Sequence, residues 1–221
     1  MCDLDNTFAV LCPGPWASEL LAKIGLRLPL IPWKIPVYYW RVSQFLPHTF
    51  IYDSGQARTG HVWGLPEQEY PGLVKVRDDQ GEMFTMHPIC FQTQICLHEG
   101  AVCDPDSRDK ADTEYLRRFL EKFIAEKFPG VEPRVSVEES CMYTMTPDEQ
   151  PIIDTVPGTN IVIGVGFSGT GFKLGPVTGA MLADLATKKV ARQETEMLSL
   201  RRFPKNATFN KDFRYEWQAN L

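Results

Sequence analysis

A glycine-rich turn followed by a lysine is the part of this sequence best suited to chemistry. The apolar segment 161–165 leads into Gly166-Phe167-Ser168-Gly169-Thr170-Gly171, and Lys173 follows at the start of a predicted helix. A strand, a glycine loop and a helix N-terminus are the usual parts of a phosphate or dinucleotide site. The glycine spacing is unusual, however, and no second strand follows the helix. The residues alone leave two interpretations open, a loop that faces a ligand and a loop that only packs.

Two further side chains, those of Lys173 and Cys141, can each be interpreted as structural or as functional. Lys173 gains nothing from the helix dipole at a helix start, so it is either a plain surface lysine or a cation that holds a carboxylate. Cys141 lies in the predicted strand 134–145. A lone cysteine in a strand is usually a small buried side chain, and its residue type alone predicts that placement for Cys141.

Zinc binding and serine hydrolysis are poorly supported by the spacing. Cys90 and Cys96 have five residues between them, and Cys96 and Cys103 have six, with His98 inside the second interval. Structural zinc sites favour about two to four residues between paired ligands, so we expect no metal site. Ser168 lacks the Gly-x-Ser-x-Gly setting, and no histidine follows it to complete a Ser-Asp-His order.

Composition narrows the classes of partner. The 221 residues include 23 Lys and Arg against 28 Asp and Glu, a net charge of −5. That balance argues against a nucleic-acid binder with a clustered basic surface and against a polybasic membrane-surface protein. The opening residues 1–6 are polar and acidic, unlike a signal peptide, and the longest uncharged run is broken by Pro157 and glycines. We therefore expect neither a nucleic acid nor a membrane as partner, and we interpret the six cysteines as thiols of an intracellular protein.

Hydrophobic periodicity predicts a mixture of strands and helices. The segment 8–11 has the composition of a buried strand, and Gly25 suits the end of a helix over 16–24. A second helix is predicted up to residue 128, with Asp112 or Thr113 as its cap. The remaining strand-like segments are 28–31, 36–42, 49–52, 62–65, 72–76, 134–145 and 161–165, the first five suggesting an antiparallel sheet, and a third helix is predicted over 174–188.

Two sequence blocks carry a family resemblance. One contains Glu139-Ser140-Cys141-Met142-Tyr143-Thr144 and extends to Asp154, and the other runs from Asn160 through the glycine loop to Lys173. Both closely resemble the monomeric sarcosine oxidase family, and within it the branch of peroxisomal sarcosine and L-pipecolate oxidases. The earlier motifs Gly14-Pro15-Trp16 and Gly64-Leu65-Pro66 agree with this. The likeness is to the C-terminal part of the family only.

The resemblance implies a fold and its division into domains. We expect the C-terminal part of an FAD-binding, Rossmann-like α/β domain, interleaved with an antiparallel-sheet substrate domain. Residues 1–26 and 138–190 would belong to the FAD-binding domain, 27–137 to the substrate domain, and 191–221 to a tail. The family's N-terminal Gly-x-Gly-x-x-Gly motif has no counterpart in the 221 residues. Without that unit, the strand 161–165 is expected to lose its sheet neighbours and to expose apolar surface.

The resemblance also implies roles for individual residues. The cysteine matching Cys141 is joined covalently to FAD, and the lysine matching Lys173 holds the substrate carboxylate. Lys75 matches a lysine associated with oxygen activation, and His98 matches a histidine near the flavin. The implied flavin-binding residues are Cys141, Met142, Gly166, Phe167, Ser168, Gly169, Thr170, Gly171 and Lys173.

The implied function is an FAD-dependent oxidase acting on the CH–NH bond of secondary amino acids. Sarcosine, L-pipecolate and related N-methyl amino acids fit equally. Hydride would pass to the flavin and O2 would be reduced to H2O2, in an enzyme expected to be a monomer. The alternative is a truncated, non-catalytic family member that does not bind FAD. The terminal Ala219-Asn220-Leu221 resembles a relaxed Ser-Lys-Leu signal and predicts a peroxisomal location, the cytoplasm being the default otherwise.

Three departures from the family pattern carry predictions of their own. Trp63 stands where the family has a tyrosine that lines the substrate cavity, and Thr170 stands where relatives often have histidine. The family spacing Lys-x-x-x-His is restored between Lys75 and His98 if the 19 residues 77–95 are removed. We therefore expect 77–95 to be an insertion that bulges from the sheet, the alternative being a genuine surface loop, since lengthening a loop costs little closure entropy.

Overall fold

The structure is a computed structural model that describes residues 7–42, 48–52, 62–66, 91–97, 99–187 and 196–204. The chain forms two compact units. The first comprises Met1–Trp33, Val102–Arg108 and Met142–Leu221, and the second Lys34–Ala101 and Asp109–Cys141. The strands are β1 Ala9–Leu11, β2 Ile31–Val42, β3 Phe50–Tyr52, β4 Val62–Pro66, β5 Phe91–Leu97, β6 Ala101–Val102, β7 Val131–Met145, β8 Ile152–Thr155 and β9 Ile161–Val165, and the helices are α1 Ala17–Lys23, α2 Glu114–Lys127 and α3 Gly171–Ala186.

A three-stranded sheet with the order β1-β9-β8 is the centre of the first unit. β9 pairs in parallel with β1 and antiparallel with β8. Val162 and Ile163 are fully buried between these neighbours. A Cβ atom on Gly164 would lie 3.2 Å from a methyl of Leu182, so the glycine lets α3 pack closely on the sheet. The expectation that 161–165 would lose its neighbours was wrong, because β1 and β8 supply them.

β1 is one place where the first unit exposes apolar side chains. The sequence predicts a buried strand there, but Val10 is 47 % exposed. β1 is the last strand of its sheet, so only one of its edges is paired. The strand itself is confirmed, and its burial is not.

A larger antiparallel sheet has the order β3-β4-β5-β2-β6, with β7 also paired to β2. α2 covers one face of it, where the side chains of Tyr38, Trp40 and Ile95 pack against Leu120 and Ile124. The helix has the predicted period, and Asp112 accepts a hydrogen bond from the Glu114 amide at its start. Burial of this apolar stripe, rather than helix propensity, is what holds a 14-residue helix in place.

β5 corrects part of the bulge predicted over 77–95. Residues 91–95 belong to a strand that pairs with β4 on one side and with β2 on the other, and Ile95 is fully buried. The expected bulge is therefore wrong for 91–95, because these residues lie in a central strand, and the insertion itself stays a prediction. Lys75, His98, the predicted strand 72–76 and residues 77–90 lie outside the described residues.

Several boundaries also differ from the predictions. β2 is one strand that begins at Ile31, so residues 28–30 are not a strand and the predicted break before Pro36 is absent. α1 ends close to the predicted place, where Gly25 has φ +78°. α3 begins at Gly171, inside the glycine-rich turn, and it contains Pro176.

The segment 196–204, predicted as a featureless tail, is attached to the first unit. Asp154 accepts hydrogen bonds from the Ser199 hydroxyl at 2.6 Å and the Leu200 amide at 3.1 Å. Arg202 makes two hydrogen bonds to Asp148, at 2.7 and 3.2 Å, and one to the Gln150 carbonyl at 2.7 Å. Leu200 and Phe203 also pack on the core that contains Ile163.

Substituting Arg202 by Gln should destabilise the first unit by about 1.5–3 kcal/mol, because it removes charge-assisted bonds and leaves Asp148 largely enclosed without its partner. The two side chains are only 15 % and 20 % exposed. Arg118→Gln is the matched control, since the Arg118 side chain is 75 % exposed in its pair with Glu114 and should cost only about 0.3–0.5 kcal/mol. Urea unfolding measures both, and equal losses would contradict the structural role of Arg202.

Candidate active site

One face of the larger sheet is not covered by α2. Side chains alternate between the two faces of a strand, and Tyr38 and Trp40 point towards α2, so Val37 and Tyr39 lie on the other face. Trp63 on β4 and Cys96 on β5 are opposite each other in register and join them. We call this the Tyr39 face, and its members are Val37, Tyr39, Trp63, Cys96, Val137, Glu139 and Cys141.

Tyr39 and Glu139 link β2 to β7 on this face. The Tyr39 hydroxyl donates a hydrogen bond of 3.1 Å to Oε2 of Glu139. Cys141 follows Glu139 by two residues on β7 and therefore shares its face. Neither Tyr39 nor Glu139 was predicted to have a role, although the period-two pattern of β7 places Glu139 and Cys141 on the same face.

The two cysteines of the Tyr39 face differ in accessibility. Cys96 is buried, and the loss of solvation raises the pKa of its thiol to about 12, with the Tyr38 backbone hydrogen bond opposing and nearby Cys141 adding to the shift. Cys96 therefore stays protonated and enclosed near neutral pH. Cys141 is exposed, contrary to the burial that its residue type predicts. It is the thiol of this face that an electrophile or a cofactor can reach.

The glycine-rich turn of the first unit has an unusual backbone shape. Gly166, Ser168 and Gly169 all have positive φ, at +70°, +47° and +84°. A Cβ atom on Gly166 would lie 2.5 Å from the Thr146 side chain, so no other residue fits there without movement. Ser168 is not a glycine and holds its φ against a conformational cost of about 1–3 kcal/mol.

Hydrogen bonds to the end of β7 hold this turn. The Ser168 amide donates to the Thr144 carbonyl at 3.0 Å, and the Thr146 amide donates to the Ser168 hydroxyl oxygen at 3.1 Å. Thr146 in turn donates its hydroxyl to the Gln150 carbonyl at 2.9 Å, which also accepts from Arg202. A continuous network thus runs from the 196–204 segment to the turn that precedes Lys173.

These contacts change the expected role of two hydroxyls. Ser168 is buried, and its side chain bonds within the protein. The Thr170 hydroxyl donates to the Phe167 carbonyl at 2.7 Å. Both side chains were expected to contact a cofactor, and the structure shows both bonded to the protein. Both hydroxyls help to fix the shape of the loop, and their contact with a cofactor stays a prediction.

The start of α3 presents a positively charged surface. Its first turn holds no acidic residue, Lys173 is exposed, and Phe172 is fully exposed beside it. The first amides of a helix have no partner within the helix and carry the positive end of its dipole. Pro176 has no amide hydrogen to bond the carbonyl four residues before it, so the Phe172 carbonyl is left without that helical bond. The arrangement suits a negatively charged group.

The predicted site residues thus occupy two described places. Lys173 and the loop 166–171 lie in the first unit together with Met142, and Cys141 lies at the end of the second. Lys75 and His98 lie outside the described residues. No helix in the described parts of the chain is long and apolar enough to cross a membrane. Nor does that part of the chain contain a group of three or more His, Cys, Asp or Glu side chains suited to a metal ion.

Comparison with known families identifies the chain. The sequence profile of the FAD dependent oxidoreductase family, DAO, matches residues 3–185. This chain belongs to that family. Human peroxisomal sarcosine oxidase is 38 % identical over 208 residues, which cover 88 % of this chain and 47 % of the human protein. The probable sarcosine oxidase of Arabidopsis thaliana is 35 % identical over 217 residues, covering 91 % and 47 %.

The family resemblance and the predicted fold class are confirmed by these matches. Solved structures with the same fold include NikD, an unusual amino acid oxidase, with a TM-score of 0.62 at 17 % identity over 87 % of this chain and 47 % of NikD. Glycine oxidase from Geobacillus kaustophilus has a TM-score of 0.59 at 20 % identity, covering 88 % and 45 %. This chain of the FAD-dependent oxidoreductase family spans about half the length of the relatives it matches.

Replacing Cys96 by Ser should flatten the alkaline loss of stability. The thiol pKa is higher in the folded protein than its ordinary 9.0, so the unfolded chain loses the proton first and stability falls as pH rises from about 9 towards about 12. Between pH 8 and pH 10 the wild-type protein should lose on the order of 1 kcal/mol more than Cys96→Ser. Urea unfolding at both pH values measures this. Parallel losses in the two proteins would show that Cys96 does not titrate as described.

Proposed function

We propose that this protein oxidises a secondary amino acid such as sarcosine, L-pipecolate or a related N-methyl amino acid, with FAD as cofactor. The observation that carries the proposal is the 38 % identity with human peroxisomal sarcosine oxidase over 208 residues. The CH–NH bond of the substrate is the bond oxidised, and O2 is the terminal acceptor, giving H2O2.

The described residues fit the cofactor. A turn with three positive φ values, in which Gly166 tolerates no Cβ, brings backbone close to whatever lies over it. The residues that would hold FAD are Gly166–Gly171, Met142 and the exposed Cys141, the last through a thioether at its sulfur. When bound, FAD supplies the two-electron acceptor for the oxidation of the substrate.

Lys173 would bind the substrate through its carboxylate. Its ammonium group is exposed, and no acidic residue in the first turn of α3 competes for it. A fixed cation orients an anionic amino acid and so restricts which C–H bond reaches the acceptor. Lys75 would supply a positive charge where O2 is reduced, and such a charge stabilises the negative charge that develops. His98 is proposed to lie beside it.

Trp63 would restrict the size of the substrate. It is partly buried on the Tyr39 face, packed with Cys96, and it brings a larger ring without the phenol that the family resemblance leads one to expect. An indole offers only one donor and no acceptor. We propose that it favours small substrates over those with long polar side chains.

The alternative is a family member that holds no flavin and is not catalytic. One observation favours it. The hydroxyls of Ser168 and Thr170 are both bonded inside the protein, so the loop offers a cofactor little besides backbone. Colour distinguishes the two proposals, because a flavoprotein purifies yellow.

The location and assembly of the protein are proposals as well. The human and mouse relatives are named as peroxisomal enzymes, and the Bacillus relative as monomeric. A peroxisome is chemically sensible for a protein that makes H2O2. We propose a peroxisomal monomer.

Cys141→Ser should abolish acid-stable attachment of the flavin. The wild-type protein should keep its flavin in the pellet after acid precipitation, because a thioether survives acid, and the variant should release it to the supernatant. Cys12→Ser is the matched control, since Cys12 is the other exposed thiol among the described residues and is not one of the residues proposed to hold FAD or the substrate. Release of all flavin from the wild-type protein would rule out attachment at Cys141, and a colourless protein would favour the non-catalytic alternative.

Lys173→Met should weaken the binding of carboxylate inhibitors about ten- to a hundred-fold, because one charge-assisted bond worth about 1.5–3 kcal/mol is lost. Titration of the flavin absorbance with a carboxylate inhibitor gives the dissociation constant. Lys122→Met, at a lysine exposed on α2, is the control and should leave it unchanged. An unaltered dissociation constant in Lys173→Met would show that Lys173 does not bind the carboxylate.

A further inference from the structure

A cleft lies in the second unit. It is formed between β2 and the first half of β7, and it has a volume of about 340 Å³. Arg41 lines it from β2, and Glu132, Arg134, Val135 and Ser136 line it from β7. Sites for small molecules typically enclose about 300–1,000 Å³, so this cleft has the size of a site for a small molecule rather than for a cofactor.

The charges that line the cleft are unbalanced. Its lining residues include two arginines, one glutamate and a serine, whose hydroxyl can also donate a hydrogen bond. With respect to the described residues, Arg41, Glu132 and Arg134 form neither an ion pair nor a side-chain hydrogen bond. In contrast, Arg117, Arg118 and Arg202 all have carboxylate partners. The cleft therefore holds two positive charges whose hydrogen-bonding capacity the described protein does not use.

The cleft is separate from Cys141 along the sheet. Arg41 follows Tyr39 by two residues, about 7 Å further along β2. Ser136 precedes Cys141 by five residues, about 16 Å along β7. The proposed flavin and carboxylate contacts, Cys141 and Lys173, take no part in lining the cleft.

We propose that this cleft binds an oxyanion, the carboxylate or phosphate group of a small molecule. A guanidinium group has two parallel N–H donors that match the paired oxygens of a carboxylate or a phosphate. Neutral ligands and cations do not present such a pair of negatively charged oxygens. Glu132 opposes such a ligand, so the anion is held by Arg41, Arg134 and Ser136 against a repulsive neighbour. The proposal concerns residues 41 and 132–136 alone and does not depend on flavin binding.

Calorimetric titration of the full chain with inorganic phosphate and with succinate, at constant ionic strength, tests the proposal. We expect saturable binding of at least one of them. Arg41→Gln and Arg134→Gln should each weaken it about tenfold or more, whereas Glu132→Gln should tighten it because the like charge is removed. Arg118→Gln makes the same change of charge on α2 and should leave the affinity unchanged.

Preference for phosphate would identify a phosphate site, and preference for succinate a carboxylate site. Circular dichroism confirms that each variant is folded before its titration is interpreted. The proposal is overturned if neither anion binds saturably, or if Arg118→Gln weakens binding as much as Arg134→Gln. Failure here leaves the flavin experiments untouched, because those depend on Cys141 and Lys173.

Discussion

The buried contact between Ser168 and Thr146 is the interaction on which the geometry of the proposed active site depends. The Thr146 amide donates to the Ser168 hydroxyl oxygen at 3.1 Å, and beside it the Ser168 amide donates to the Thr144 carbonyl at 3.0 Å, so the end of β7 is tied to the turn before α3. These bonds hold a non-glycine residue at φ +47°, which the chain would otherwise leave. The start of α3, and with it Lys173, takes its direction from that turn. A buried hydroxyl that bonds within the protein therefore helps to determine the direction in which the helix start points.

Local sequence signals predicted those elements whose pattern is set by their own residues. α2 has its helical period, with Asp112 accepting a hydrogen bond from the Glu114 amide just before the helix, and β9 is an uninterrupted apolar run beside a glycine turn. β5 could not be found in this way. Residues 91–95 are mixed in polarity, and they form a strand only because β4 and β2 offer edges on both sides. Such pairing is decided by distant residues, and a family spacing that argued for removing the segment carried no information about it.

In the proposed active site, too, the sequence predicts local features but not contacts between distant residues. Residue type gives the same expectation for Cys96 and Cys141, yet one is enclosed and the other exposed, because each strand's alternation and its neighbours decide what covers a side chain. The glycine positions of the turn were recognisable, since positive φ needs them. The inward direction of Ser168 was not, because it depends on Thr146 being across from it, 22 residues earlier. The hydrogen bond between Tyr39 and Glu139 could not be predicted for the same reason, because the two residues are 100 positions apart in the sequence.

Pro176 has a consequence for how α3 moves. The buried residues of the helix are Thr178, Met181, Leu182 and Asp184, whereas its first turn is largely exposed and lacks the hydrogen bond that an amide at position 176 would give to the Phe172 carbonyl. Local opening requires least free energy where few backbone bonds and little apolar contact must be broken. The turn that carries Lys173 can therefore unwind and re-form while the rest of α3 stays folded on its sheet. Amide hydrogens should exchange with solvent fastest at this end of the helix and slowest beyond Thr178.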